Sequence, residues 1–178
     1  MKKTNNKGFS LVELIIVIAI MAILAGAIAP ALIRYIDKSR KSNDVSAAKT
    51  IKTAVETAMA NEVTYELLTS GTADSDGNTG IIEVNPGQSQ ASGVTITYPS
   101  TMPNGITAAD KTAAETEIAK NIGENMPKIK YKKAADGTNV PTAWVATCTS
   151  GGSIKVGLKT ASSTMGYELV PEICSYYQ

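Results

Sequence analysis

No histidine occurs among the 178 residues, which excludes Ser-His and Cys-His catalysis and any imidazole metal site. Aromatic residues are few: one Trp, one Phe and seven Tyr leave the core of any folded part to Ile, Val, Leu, Met and Ala. There are two cysteines, Cys148 and Cys174, without metal-ligand spacing. A Gly-rich phosphate loop, a Gly-x-Ser-x-Gly elbow and an Asn-x-Ser/Thr triplet are all missing. Paired carboxylates such as Glu115 and Glu117 belong to an ordinary polar helix face, so no catalytic constellation, metal site or cofactor is expected. Net charge is also nearly absent, with 17 basic against 16 acidic residues, and nothing global implies a nucleic-acid partner.

What is present in excess is one long stretch without charge. Between Phe9 and Ile33 the only ionisable residue is Glu13. At about 1.5 Å per helical residue this run reaches roughly 37 Å, enough to cross a hydrocarbon core of about 30 Å with some tilt. Lys2, Lys3 and Lys7 precede it, and Arg34, Lys38, Arg40 and Lys41 follow it. Basic residues on both sides leave orientation undecided. A secretory signal has an apolar run of only about 7 to 15 residues with its small-residue cleavage site behind it. Here the small-residue break, Gly8, lies in front, so a cut there removes the polar leader and keeps the helix. An acidic group in a membrane helix costs on the order of 3 kcal/mol at mid-bilayer and is usually there for a partner. A cut between Gly8 and Phe9 creates a cation one helical turn from Glu13, available to the same chain or to a neighbouring copy.

Gly8, Phe9 and Glu13, within Lys7-Gly8-Phe9-Ser10-Leu11-Val12-Glu13-Leu14, closely resemble the class III leader and N-terminal helix of type IV pilins and their pseudopilin relatives. The resemblance covers about the first 35 residues. It implies cleavage after Gly8 by a prepilin peptidase, N-methylation of Phe9, and an assembly role for Glu13. It also places the leader in the cytoplasm and the remainder outside.

The helical pattern continues past Ile33. Ile36, Ala47, Ala48, Ile51, Ala54, Val55, Ala58 and Met59 recur at three- and four-residue steps, predicting an amphipathic continuation over 34–62. Pro30 deprives the Gly26 carbonyl of its helical partner, and Gly26 is itself a weak helix former. Either a simple kink or local unwinding is expected there, and in pilins this place is associated with unwinding on assembly.

Residues 63–178 are expected to form a globular head. Gly and Asp punctuate 63–93, which predicts loop with at most a short strand at 81–84. A strand is predicted at 94–98, and a helix from Thr107 with Asp110 as the acidic member of its capping box and Gly123 as its stop. Further strands are predicted at 128–132, 143–147, 153–158 and 167–170, with turns at Asp136-Gly137 and Gly151-Gly152. A long helix followed by an antiparallel sheet is an α+β arrangement, with the sheet packed on Ile51, Val55 and Met59.

Three features of the head invite functional readings. An even cysteine count in a translocated domain reads as one disulfide, Cys148 with Cys174, or as two reduced buried thiols; the former resembles the C-terminal disulfide loop of pilins. Asp74, Asp76 and Asn78 suggest part of a calcium loop, but the Gly is misplaced and no Glu falls at the twelfth position, so a polar turn is the simpler reading. Lys128-Ile129-Lys130-Tyr131-Lys132-Lys133 combines basic and aromatic residues, as single-stranded nucleic-acid sites do, and pili of this family can take part in DNA uptake. Simple alternation, with Ile129 and Tyr131 inward and lysines in water, accounts for it as well.

The expectation is therefore a structural protein. It would be a major pilin held in the cytoplasmic membrane, then assembled by the pilus machinery into a homopolymeric filament on the cell surface. The alternatives are a pseudopilin of a type II secretion or competence system, or a membrane-tethered surface-binding domain.

Overall fold

The computed structural model describes residues 9–99 and 101–178. The chain is α+β, a long helix followed by a head built on an antiparallel sheet. It divides into two compact units, with the boundary between Ser39 and Arg40.

The first unit is the early part of helix α1, Leu11–Ala58. Every residue from Phe9 to Ile36 is exposed. The helix runs unbroken across Gly26 and Pro30, so of the two expectations, a simple kink or local unwinding, the isolated chain does not show the second. Proline removes one N–H from the ladder, and the turns on either side hold the rest.

In the second unit α1 changes character. Asp44, Ala48, Ile51, Val55 and Ala58 are all buried and alternate four- and three-residue steps, which keeps them on one stripe. The helix ends at Ala58, short of residue 62, and a separate helix α2 runs over Glu62–Thr69. Asn61 starts α2 by accepting the Val63 and Thr64 amides at 3.0 and 3.3 Å. This Asn N-cap marks a helix start within what had looked like continuous periodicity.

Among the described residues five strands form one antiparallel sheet in the order β2-β1-β3-β4-β5. They are β1 (Asn78–Val84), β2 (Val94–Thr97), β3 (Ala143–Thr149), β4 (Ile154–Lys159) and β5 (Tyr167–Val170). A single turn, α3 (Gln90–Gly93), precedes β2, and α4 (Ala108–Ile122) follows it. The α4 capping box is formed as predicted: Thr107 N–H donates to Asp110 at 2.9 Å and Asp110 N–H to Thr107 Oγ1 at 3.3 Å. Gly123 ends the helix with φ of 131°, a conformation L side chains rarely adopt.

Register places two neighbouring apolar rows across the whole sheet. Val94, Val84, Trp144, Leu158 and Tyr167 stand opposite one another, and beside them Ile96, Ile82, Ala146, Val156 and Val170. This face packs with the α1 stripe and with Ala114, Ile118 and Ala119 of α4 in one core. Trp144 is fully buried with its indole N–H donated to the Pro127 carbonyl at 2.7 Å, as a buried Trp requires.

The segment 128–132 is not a strand. Ile129 and Tyr131 are buried while the lysines face solvent, so the alternation is present without a ladder. Its amides are satisfied differently. Asp44 on α1 is completely buried, and its two carboxylate oxygens accept Lys130 N–H and Tyr131 N–H, each at 2.8 Å. Burial pushes the Asp44 carboxyl above its ordinary value, and these backbone bonds together with the Lys130 charge pull it partly back.

Replacing Asp44 with Ala leaves two amides without an acceptor, and the expected loss is about 2–4 kcal/mol of head stability. Urea unfolding followed by the fluorescence of Trp144, the one tryptophan, measures it in the full chain in detergent. The pH dependence has a definite sign. A carboxyl whose folded-state pKa is raised binds its proton more tightly folded than unfolded. Its contribution is therefore lost as pH rises from the unfolded value near 4 through the folded one. The stability gap between wild type and Asp44→Asn should narrow across that window and stay constant above it; a widening gap would contradict the raised value.

Candidate functional site

The charge that stood out in the sequence, Glu13, lies in the first turn of α1. Ser10 directly precedes the helix, and Leu14 N–H closes the first turn on the Ser10 carbonyl at 3.2 Å. Glu13 is the third helical residue, and its carboxylate reaches back to accept the Ser10 N–H at 2.9 Å. That is the acidic half of a capping box, and it places negative charge where the helix dipole favours it. The sequence signal for it, Ser10-Leu11-Val12-Glu13, lay inside the motif already singled out. Phe9, next to Ser10, is 85% exposed. Phe9, Ser10 and Glu13 are thus neighbours at the helix start, while Gly8 lies outside the described residues.

Behind this charge, α1 carries exposed Leu, Ile, Val and Met without a polar face as far as Ile33. It is long and apolar enough to cross a membrane. A contiguous apolar surface of this extent requires lipid or protein around it.

The two cysteines are both free thiols, which corrects the expected disulfide. Sheet geometry gives the reason. Cys148 is opposite Ile154, whereas the amide of Cys174 bonds the carbonyl of Glu168, opposite Gly157. Two strand spacings and three residues separate Cys148 from Glu168, the strand residue that Cys174 bonds, roughly 14 Å at about 4.8 Å per strand and 3.4 Å per residue. A disulfide needs Cα atoms within about 7 Å. Burial pushes the Cys148 thiol up to about 12.

Asp74, Asp76 and Asn78 form a tied polar turn. One Asp74 oxygen accepts Asp76 N–H at 2.9 Å and Asn78 N–H at 2.8 Å, and the Asn78 amide reaches both oxygens at 3.2 and 3.1 Å. Partial burial of Asp74 is outweighed by these bonds, which hold its carboxyl below the usual range. Its oxygens are therefore taken by N–H donors. The Lys128–Lys133 segment presents its cations beside buried Tyr131, with Lys133 Nζ 5.9 Å from that ring.

Sequence reasoning missed Asp44 and also the role of Glu115, whose carboxylate accepts Ile96 N–H at 2.8 Å. Strand β2 is an edge, so Glu115 closes one of its open donors. Also missed was the tyrosine cluster that fastens the C-terminus. Tyr131, Tyr167, Tyr176 and Tyr177 stand with centroids 5.3 to 5.9 Å apart, and Lys41 Nζ lies 4.9 Å from the Tyr176 ring. Four tyrosines scattered along the sequence give no local signal that they meet.

Comparison with known proteins now decides the family. The prokaryotic N-terminal methylation motif matches residues 3–29, which contain Gly8, Phe9, Glu13 and Gly26. A type IV major fimbrial protein FimA of Dichelobacter nodosus is 31% identical over 151 residues, covering 79% of this chain and 87% of that protein. The chain belongs to the type IV pilin family. A second FimA of the same organism is 36% identical over 102 residues, 54% of this chain and 65% of the relative. Fimbrial protein Q of Moraxella bovis is 45% identical over 62 residues, 35% and 40% of the two chains. No solved structure matches. In this pilin the likeness therefore extends well beyond the methylation motif, into the head.

Thiol accessibility offers a direct check. Iodoacetamide should label Cys174, which is partly exposed, and spare buried Cys148 until the protein is denatured. Intact mass should show one adduct natively and two in denaturant. Absence of label in denaturant without reductant would mean that the thiols are oxidised.

Proposed function

We propose that this chain is the major structural subunit of a type IV pilus. It waits in the cytoplasmic membrane, anchored through 9–33, with 34–62 and the head 63–178 outside, and then enters a helical homopolymer on the cell surface. A prepilin peptidase cuts between Gly8 and Phe9, the new Phe9 amine is N-methylated, and the assembly machinery draws the subunit from the bilayer. The observation that carries this reading is the lone carboxylate of Glu13 at the start of an apolar helix exposed over its whole circumference.

The mechanism follows from solvation. Phe9 to Ile33 leaves lipid only by exchanging lipid contacts for contacts with other copies of the same helix. Glu13 goes with it, and an unpaired charge buried in such a bundle costs several kcal/mol. The Phe9 amine of an adjacent subunit is a cation produced by the same cleavage. Pairing the two links each subunit to the next and penalises a misplaced register. The fimbrial names of the relatives and their length, matched over most of the chain, favour a pilus subunit over a pseudopilin or a tethered binding domain. The relatives are structural proteins, and no enzymatic step belongs to this account.

Glu13→Ala and Glu13→Gln test it in cells that assemble the wild-type chain. Both should be processed and stay in the membrane, while their yield in sheared filaments drops by about tenfold or more, the order of one lost ion pair of about 1.4 kcal/mol or above. Normal filament yield from Glu13→Ala would refute the pairing.

A further inference from the structure

A filament of identical subunits needs two unlike patches on every copy, one fitting the other, because a heterologous contact that does not close propagates as a helix. The head carries two such patches, and the inference rests on the filament reading above. The first is the surface where α1 and α4 meet at Asn121. Asn121 bridges the two helices by donating to the Ala54 carbonyl at 3.3 Å, and shallow cavities of about 440 Å³ along α1 and about 460 Å³ along α4 meet at it. Four of its five threonines look polar in the sequence and are not so in place. Thr50, Thr57, Thr112 and Thr116 donate their hydroxyls back to Ser46, Thr53, Ala108 and Thr112 carbonyls at 2.8 to 3.2 Å. The donors are spent within each helix, so covering these side chains strands no hydroxyl.

Two cations, Lys49 and Lys120, lie on this surface, one on each helix, and both are exposed. Neither makes an ion pair among the described residues, whereas nearby Lys52 is committed to Glu56 at 3.4 Å. Glu117 lies on the α4 side, so the cations exceed the acid by one.

The second patch is the outer side of α2. Thr64, Leu67, Leu68 and Thr69 face the core, which turns Glu62, Val63, Tyr65 and Glu66 to solvent. Val63 and Tyr65 are 44% and 42% exposed. Glu62 and Glu66 are four residues apart on the same helix, a like-charge spacing that disfavours it, and neither has a cationic partner among the described residues. An apolar ridge bordered by two carboxylates complements a threonine-lined surface that carries one lysine on each helix.

We propose that the α2 ridge of one subunit docks across the α1–α4 contact at Asn121 of the next, with Glu62 and Glu66 facing Lys49 and Lys120. The contact would belong to the heads, separate from the Glu13 pairing of the apolar helices.

Charge exchange in the full-length chain tests it, reading protein in sheared filaments against the processed pool in the membrane. Lys49→Glu with Lys120→Glu, and separately Glu62→Lys with Glu66→Lys, should each lower filament yield by about tenfold, as like charges meet across the contact. Combining all four substitutions should restore it to within about threefold of wild type, because the pairing is rebuilt in reverse. The proposal is overturned if either reversal assembles like wild type, or if the combination is no better than the pairs. Where a reversal does not accumulate in the membrane, Lys49→Gln with Lys120→Gln replaces it, with a loss of about threefold expected and wild-type yield contradicting. Failure of the wild-type chain to form filaments sinks the subunit reading itself; wild-type filaments with indifferent variants sink this surface alone.

Discussion

The constraint on which everything depends is the apolar surface of α1 from Phe9 to Ile33, which water cannot surround. No fold of the head relieves it, since every residue from Phe9 to Ile36 is exposed in the isolated chain. Two environments satisfy it, a bilayer and a bundle of identical helices, and the protein's proposed life is the passage between them. In the proposed assembly, one carboxylate at the helix start makes that passage selective. It is tolerable at the edge of lipid, held by the Ser10 amide, and costly inside a bundle unless a cation meets it.

The head depends on the same helix in a different way. From Asp44 onward α1 offers a narrow buried stripe, and the sheet's apolar rows are laid against it. Asp44 adds a polar clamp by holding the amides of Lys130 and Tyr131, so the segment before β3 is fixed to α1 by two hydrogen bonds instead of a ladder. Glu115 does similar work from α4 on the edge strand β2. Carboxylates on helices thus finish hydrogen bonding that the sheet leaves open.

What the sequence made legible was whatever is local. The apolar run, the Thr107–Asp110 capping box, the Gly123 stop and four of the five strands depend on residues a few positions apart, and they appear where periodicity and turn chemistry put them. Strand β1 was underestimated because Asn78, Thr79 and Gly80 look like loop; pairing of Asn78 with Thr149 and of Gly80 with Cys148 on β3 extends it to seven residues. Helix α2 was missed because its short run lies directly behind α1 and only Asn61 marks the break. The extended stretch 128–132 looked like a strand because alternation reports burial, not pairing, and its acceptors sit 86 residues away on Asp44. The cysteine pairing failed for the same reason, since an even count says nothing about distance across a sheet. The N-terminal methylation motif was legible in the sequence, whereas the Ser10–Glu13 bond and the tyrosine cluster required coordinates.

The most direct test of the central claim is the intact mass and N-terminal sequence of the protein in sheared cell-surface filaments. The account predicts a chain beginning at Phe9, heavier by one methyl group and abundant in the filament. A chain retaining Met1 to Gly8 and remaining with the membrane fraction would contradict it. Glu13 would then have no new amine to meet, and the apolar helix would be an anchor only.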